Sequence, residues 1–289
     1  MASLIFIDTN IMLDFYRVRG REGGLAILDH VDANRDRIIT SAQVEMEYKK
    51  NRQGAILEAL RSLKAPDWAG LTLPTFLADS RPKKNIEKSR KAIDSQRKNA
   101  VGRIEKLLRA PARNDPVYKV LQRLFRSDSD FNLSRSKPDR YRIRRLALKR
   151  FLLGYPPRKS GDTSYGDAVN WEWIVDCATR TSDDIIIVSR DSDYGVIQND
   201  ESFLNDWLGE EFRQRVSKKR SIVLTSRLTD AFKRADVTIT ATEEEAERSV
   251  IQEKQSVAAA PPVQTQTVQE LLEEIRARWA PTTVPPIMR

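Results

Sequence analysis

Asp8 stands directly after the apolar run Leu4-Ile5-Phe6-Ile7, and Asp191 and Asp193 stand just after Ile185-Ile186-Ile187-Val188. Short continuous apolar runs of this kind read as strands covered on both faces. In parallel sheets, side chains beyond the carboxyl ends of strands share one crevice even when they are distant in sequence. Asp167 opens a helical stretch, Gly166-Asp167-Ala168-Val169-Asn170-Trp171. Glu47 falls in the first turns of a helix after the run Arg37-Ile38-Ile39-Thr40, with Glu45 two residues before it. A parallel sheet can therefore gather Asp8, Glu47, Asp167, Asp191 and Asp193 into one cleft. Carboxylates held close together repel one another and need a cation unless they are protonated. With His30 and Cys177 the sole residues of their types, the donor set is all oxygen, which suits Mg²⁺ or Mn²⁺. Such ions serve phosphodiester hydrolysis, a reaction that needs neither a histidine nor a cysteine nucleophile.

Each acid also has a purely structural use. Asp8-Thr9-Asn10 can cap a helix or make a turn. Asp167 lies three residues after Ser164, the spacing of a capping box. Glu45 and Glu47 can be solvent-facing, and being two apart they point in different directions, so at most one is central. Asp191 and Asp193 can belong to an acidic turn.

The elements that must position these acids alternate between strand and helix. Strands are expected at 4–7, 37–40 and 185–188, with later ones at 221–225 and 237–240. Helices are expected from Ile11, around Leu25–Leu28, after Ser41 as a cap, and over Asp206–Val216. This alternation argues for an α/β fold with a largely parallel sheet. The middle of the chain differs. Arg81–Arg109 holds eleven Lys or Arg against three acids, and Lys137–Lys159 nine against one. Residues 80–155 read as a basic helical insertion, with Ile86, Ile93, Val101, Ile104, Leu107 and Leu108 as packing positions. After residue 240 the composition shifts. Residues 241–267 read as an acidic helical stretch and a linker, and 268–280 as an amphipathic helix with Leu271, Leu272, Ile275 and Trp279 on one side.

The chain is 289 residues long with a formal charge of +9 and 40% hydrophobic residues. That is ample for a core, and the basic excess is compatible with a polyanionic partner. A single cysteine excludes an internal disulfide framework, and a single histidine excludes the H-E-x-x-H zinc protease pattern. The opening MASLIFIDTN lacks a signal peptide's basic start and long apolar core. No run approaches 18 apolar residues. A cytoplasmic protein with no membrane association is expected.

Phe6-Ile7-Asp8-Thr9-Asn10-Ile11-Met12-Leu13-Asp14 resembles the opening of PIN domains. The second acid of that family matches Glu47 within Ser41-Ala42-Gln43-Val44-Glu45-Met46-Glu47, with Glu45 as the alternate. The third matches Gly166-Asp167-Ala168. The fourth region matches Val188-Ser189-Arg190-Asp191-Ser192-Asp193-Tyr194, with Asp191 as the core match and Asp193 auxiliary. The resemblance covers roughly residues 3–60 and 160–225, and is greatest to larger PIN-like proteins with a helical insertion and a Gly-Asp-Ala-x-x-Trp motif. It implies a three-layer α/β/α fold and a metal-dependent ribonuclease. Asp8, Glu47, Asp167 and Asp191 would hold one or two Mg²⁺ or Mn²⁺ ions, and Asp193 would complete the cluster or orient a water.

RNA is the expected substrate and DNA the alternative. A structure-selective DNA nuclease, or a non-catalytic nucleic-acid-binding or protein-interaction module, are the competing readings. Thr9 and Ser189 are candidates for bonding ligands or substrate phosphate. Arg142, Arg144 and Arg145 are candidates for binding flanking phosphates. A homodimer or a protein inhibitor is a further expected partner, because small relatives are often toxins held by an antitoxin.

Overall fold

A computed structural model describes residues 3–17, 25–61, 73, 75–77, 80–158, 164–198 and 201–258, with side chains to residue 251. The chain opens with β1 (Ser3–Ile7), α1 (Thr9–Asp14), α2 (Ile27–Ala33), β2 (Ile38–Ser41) and α3 (Ala42–Arg61). It continues with α4 (Arg81–Arg109), α5 (Pro111–Asn114), α6 (Pro116–Phe125), β3 (Asn132–Leu133) and α7 (Asp139–Leu152). Then come α8 (Gly166–Thr181), β4 (Asp184–Val188), the pair β5 (Gly195–Gln198) and β6 (Glu201–Leu204), and α9 (Asp206–Arg215). The last elements are β7 (Ile222–Thr225), α10 (Leu228–Arg234) and α11 (Ala241–Ala258).

Among the described residues, five strands form one sheet in the order β3-β2-β1-β4-β7, every pair parallel. Helices flank it in the three-layer α/β/α arrangement that the family resemblance implied, around the parallel sheet that the alternation predicted. All five residues of β1 are buried, as are the last four of β4, which is why both sequences are apolar without interruption. The chain builds outward from β1 to β2 and β3, then crosses back to β4 and β7. The strand order therefore reverses between β1 and β4, where crevices open in parallel sheets.

Helix α8 is buried nearly all round, with Trp171 and Trp173 fully enclosed. An apolar helix of that kind belongs in the interior. It packs on α7 through Ile143 and Ala147. The two helices run antiparallel, since Arg142 reaches Asp176 while Arg150 reaches Glu172.

The basic stretch 80–155 is more deeply built in than a helical insertion implies. α6 buries Val117, Val120, Leu121, Leu124 and Phe125, and β3 adds a strand beside β2. The strand went unforeseen because two residues are too short to show alternation. α4 is the long helix expected, yet none of its residues is buried, and Ile93 is exposed. Its end is anchored where Arg52 donates to the Leu107 carbonyl at 2.8 Å. Arg52 also meets Asp115 at 2.5 Å, both side chains being almost wholly enclosed.

Val237–Thr240 is not a strand. Val237 and Ile239 lie half-buried against the core, and Thr240 caps α11 by accepting from the Glu243 amide at 3.3 Å. Local alternation of β-branched residues imitates a strand there, but the segment's task is to start a helix. Met1–Ile251 form one unit and Gln252–Arg289 a second. In the first, Glu243 meets His30 at 3.0 Å, and Glu247 accepts from the amides of Leu228 at 2.6 Å and Thr229 at 2.9 Å. The residues expected to form a linker up to 267 lie outside the described residues beyond 258, as does the amphipathic helix expected at 268–280. Among the described residues no helix is long and apolar enough to cross a membrane.

Candidate functional site

Asp8 and the segment 189–193 emerge side by side from β1 and β4, at the point where the strand order reverses. The Asp8 amide donates to the Val188 carbonyl at 3.0 Å, which keeps the two strand ends in register. Asp8 caps α1, as its sequence allowed, with Oδ1 accepting from the Thr9 amide at 2.6 Å. Its other oxygen accepts from Ser189 Oγ at 2.6 Å and Asn10 Nδ2 at 2.8 Å. Ser189 Oγ in turn accepts from the Asp191 amide at 3.1 Å. The cap and the site are thus the same carboxylate, and Ser189 links two of the acids.

Glu47 projects from the second turn of α3, which Ser41 starts by accepting from the Val44 amide at 3.2 Å. Gln43, four residues earlier on the same face, donates to Glu47 Oε1 at 2.7 Å. Thr9 Oγ1 donates to Glu47 Oε2 at 3.3 Å. Glu45 faces away and pairs with Lys49 at 2.6 Å. Thr9 and Ser189 therefore engage the acids themselves.

Asp167 occupies the first turn of α8. The capping residue there is Tyr165, and Ser164 Oγ accepts from the Gly166 amide at 3.3 Å, so Ser164 and Asp167 do not form a capping box. Gly166 passes so near α3 that a Cβ on it would collide with Glu47 Oε1 and lie 2.7 Å from Gln43 Nε2. A glycine before Asp167 is what lets α8 approach Glu47.

The electrostatics show that the acids share one space. Burial pushes the Asp8 carboxyl up to about 7, with the charges of Asp191 and Glu47 adding to the rise against the hydrogen bonds from Ser189 and Thr9. The buried Tyr194 phenol is pushed well above its ordinary range, by burial first and then by Asp167, Asp8, Glu47 and Asp193. Asp191 and Glu47 are thus near enough to act on the Asp8 carboxyl, and Asp167, Asp8, Glu47 and Asp193 near enough to act on the Tyr194 phenol.

Among the described residues, no three His, Cys, Asp or Glu side chains stand close enough together to hold a metal ion. The donors nonetheless fit a hard cation. They are carboxylate oxygens, the charges of Asp191 and Glu47 raise the proton affinity of Asp8, and the enclosed Tyr194 hydroxyl has no hydrogen-bond partner. A cation would offset the burial penalty, and the smaller repulsion from Asp191 and Glu47, that raise the Asp8 carboxyl.

Arg142, Arg144 and Arg145 are not brought to the acids. Arg142 pairs with Asp176 at 2.6 Å, nine residues along α8 from Asp167, or about 13 Å at the helical rise. Arg144 and Arg145 are exposed on the same helix. Asn10, Gln43 and Tyr194 were not singled out from sequence. Gln43 had a readable signal in its spacing from Glu47, whereas Tyr194 had none beyond adjacency to Asp193. Arg190 was missed as well. It pairs with Asp14, and with Glu247 of α11 at 3.1 Å, which ties the loop carrying Asp191 to two helices.

A family model described as PIN domain matches residues 5–194, about two thirds of the chain. The match begins in β1 and ends at Tyr194, so it includes all five acids. No curated protein matches the chain, and no solved structure does.

Proposed function

This chain belongs to the PIN domain family, whose fold is of nuclease type and generally uses divalent metals, and on that premise we propose that it is an endoribonuclease dependent on Mg²⁺ or Mn²⁺. The observation that carries the reading is the gathering of Asp8, Glu47, Asp167, Asp191 and Asp193 where β1 and β4 end, with Asp8 pushed up to about 7.

Asp8, Glu47, Asp167 and Asp191 would hold the cation. When bound, it lowers the pKa of a water and neutralises charge building on the phosphodiester. The chain's own residues prepare that space. Ser189 and Asn10 fix the Asp8 carboxylate, Gln43 and Thr9 fix Glu47, and Ser189 anchors the Asp191 backbone. Asp193, 6% exposed, would accept a hydrogen bond from the attacking water and orient it in line with the P–O bond that breaks. The leaving oxygen takes up a proton, which completes hydrolysis.

Acids alone would repel a polyanion. The exposed Arg144 and Arg145 of α7 would supply positive charge for phosphates some way along the strand. Single-stranded RNA is the substrate proposed, because an unpaired chain can bring its backbone to strand ends more readily than a duplex.

The test is incubation of the full chain with mixed RNAs and DNAs in Mg²⁺, in Mn²⁺ and in chelator, with fragments read by length. RNA cleavage that needs the metal is expected. Cleavage of DNA alone would move the assignment to a DNA nuclease, and binding without turnover in every condition would remove the enzyme.

A further inference from the structure

Next to the acids lies an aromatic rim that nothing so far explains. Tyr155 and Trp207 place their ring centroids 5.3 Å apart at an interplanar angle of 36°. Phe151 and Tyr165 form a second pair at 6.5 Å. The Arg158 guanidinium stands 4.5 Å over the Phe151 ring. Trp207 is 49% exposed, Tyr155 41% and Tyr165 37%. Leaving such rings in water forgoes much of the free energy that burial of a large apolar side chain provides. Clustered exposed rings with a polar border mark binding surfaces.

Both pairs are tied to the acid site. Tyr165 caps α8 two residues before Asp167. Trp207 follows Asn205, whose amide donates to the Tyr194 carbonyl at 2.8 Å, and Asn205 Oδ1 accepts from the Trp207 amide at 3.0 Å. Tyr155 is set by its amide bond to the Arg150 carbonyl at 3.2 Å. Arg150, buried between α7 and α8, also donates to the Pro156 carbonyl and meets Glu172 and Glu211. Trp207 lies one turn before Glu211 on α9. The ion network thus joins the three helices at whose ends the rings stand, with Tyr165 two residues from Asp167.

We propose that this rim is a base-stacking platform for unpaired nucleobases flanking the scissile phosphate. The inference rests on the reading of the acids as a phosphodiester-cleaving site, which fixes where the strand runs. Aromatic faces stack on any base, a planar guanidinium does the same, and the positive charge of Arg158 suits the phosphates between bases. A duplex keeps its base faces stacked inside and cannot use the surface. The chemistry recognised is the unpaired base, whether the sugar is ribose or deoxyribose.

The test is done in the full chain carrying Asp8→Asn, so that bound strands stay intact. Fluorescence anisotropy would compare labelled single-stranded RNA, the same sequence as DNA, and an RNA duplex. Tyr155→Ala with Trp207→Ala should weaken single-strand binding by about tenfold or more and leave duplex binding unchanged. Tyr155→Phe with Trp207→Phe should restore it to within about threefold. The two single-stranded arms reveal which sugar is preferred. If the alanine pair misfolds, each single alanine variant carries the same comparison. Unchanged single-strand affinity overturns the platform. So does a change in molecular mass by light scattering with affinity intact, which would make the rim a protein contact. Cleavage by the chain with native Asp8 is measured separately. Its absence beside a tenfold binding loss removes the nuclease reading and leaves the platform standing.

Discussion

Replacing Asp8 with Asn should make the metal-free protein more stable at pH 8 and not at pH 4. The Asp8 carboxyl is held near pKa 7 in the fold, against 3.8 for an unperturbed aspartate. A raised folded-state pKa contributes stability that is fully present below 3.8 and is lost as pH rises through about 7. The difference of about three pKa units corresponds to roughly 4 kcal/mol lost once the carboxyl is forced to ionise inside the crevice. Asparagine cannot ionise, so the variant escapes that loss. It gives up one acceptor facing Ser189, Asn10 and Thr9, a cost of about 1–2 kcal/mol. The net gain at pH 8 is therefore about 2–3 kcal/mol, or roughly 5–10 °C in Tm for a protein of this size. Thermal melts in chelator from pH 4 to pH 8.5 would show the curves diverging between pH 4 and pH 7. Addition of Mn²⁺ at pH 8 should then stabilise the unsubstituted protein by about 2.7 kcal/mol at a hundred times Kd, raising its Tm, and leave the variant nearly unmoved. Parallel curves across pH would refute the claim that burial and facing acids hold the Asp8 proton.

Gly166→Ala would place a methyl against Glu47 Oε1 and Gln43 Nε2; because both are ends of flexible side chains, Tm should fall by only a few degrees while metal-dependent cleavage drops about tenfold or more. Glu47→Gln should remove the metal-induced rise in Tm, whereas Glu45→Gln, at a residue paired outward with Lys49, should leave it intact, as a thermal shift titration with Mn²⁺ would show. Asp115→Asn strips the charge facing the enclosed Arg52 and should cost about 3–5 kcal/mol in urea unfolding; a change below 1 kcal/mol would mean that the pair is solvated.

The parts of the fold that were legible are those where one physical demand dominates. β1 and β4 are buried on both faces, so their sequences are unbroken apolar runs, and the acids after them inherit a common location from the parallel sheet. The spacing of Glu45 and Glu47 showed that at most one of them faces a cleft, and the family resemblance favoured Glu47. What was hidden depends on partners remote in sequence. β3 is two residues long and exists because β2 offers it an edge. The burial of α6 and the exposure of α4 depend on which helices they meet. Val237–Thr240 shows local pattern overruled, since Thr240 is needed as a cap. The charge of Arg142 was visible, but its engagement with Asp176 follows from the antiparallel packing of α7 on α8. The supporting shell of Asn10, Gln43 and Tyr194 carries no motif of its own.

The central claim is that five carboxylates converging on the ends of β1 and β4 form one cation-dependent site that cuts RNA. Its most direct test is single-turnover cleavage of single-stranded RNA in Mn²⁺ by the unsubstituted chain, Asp8→Asn and Asp191→Asn, with circular dichroism confirming that all three are folded. The account predicts cleavage by the first that chelator abolishes, and a loss of at least about a hundredfold in each variant. Folded Asp8→Asn and Asp191→Asn proteins cutting at the unsubstituted rate would contradict it.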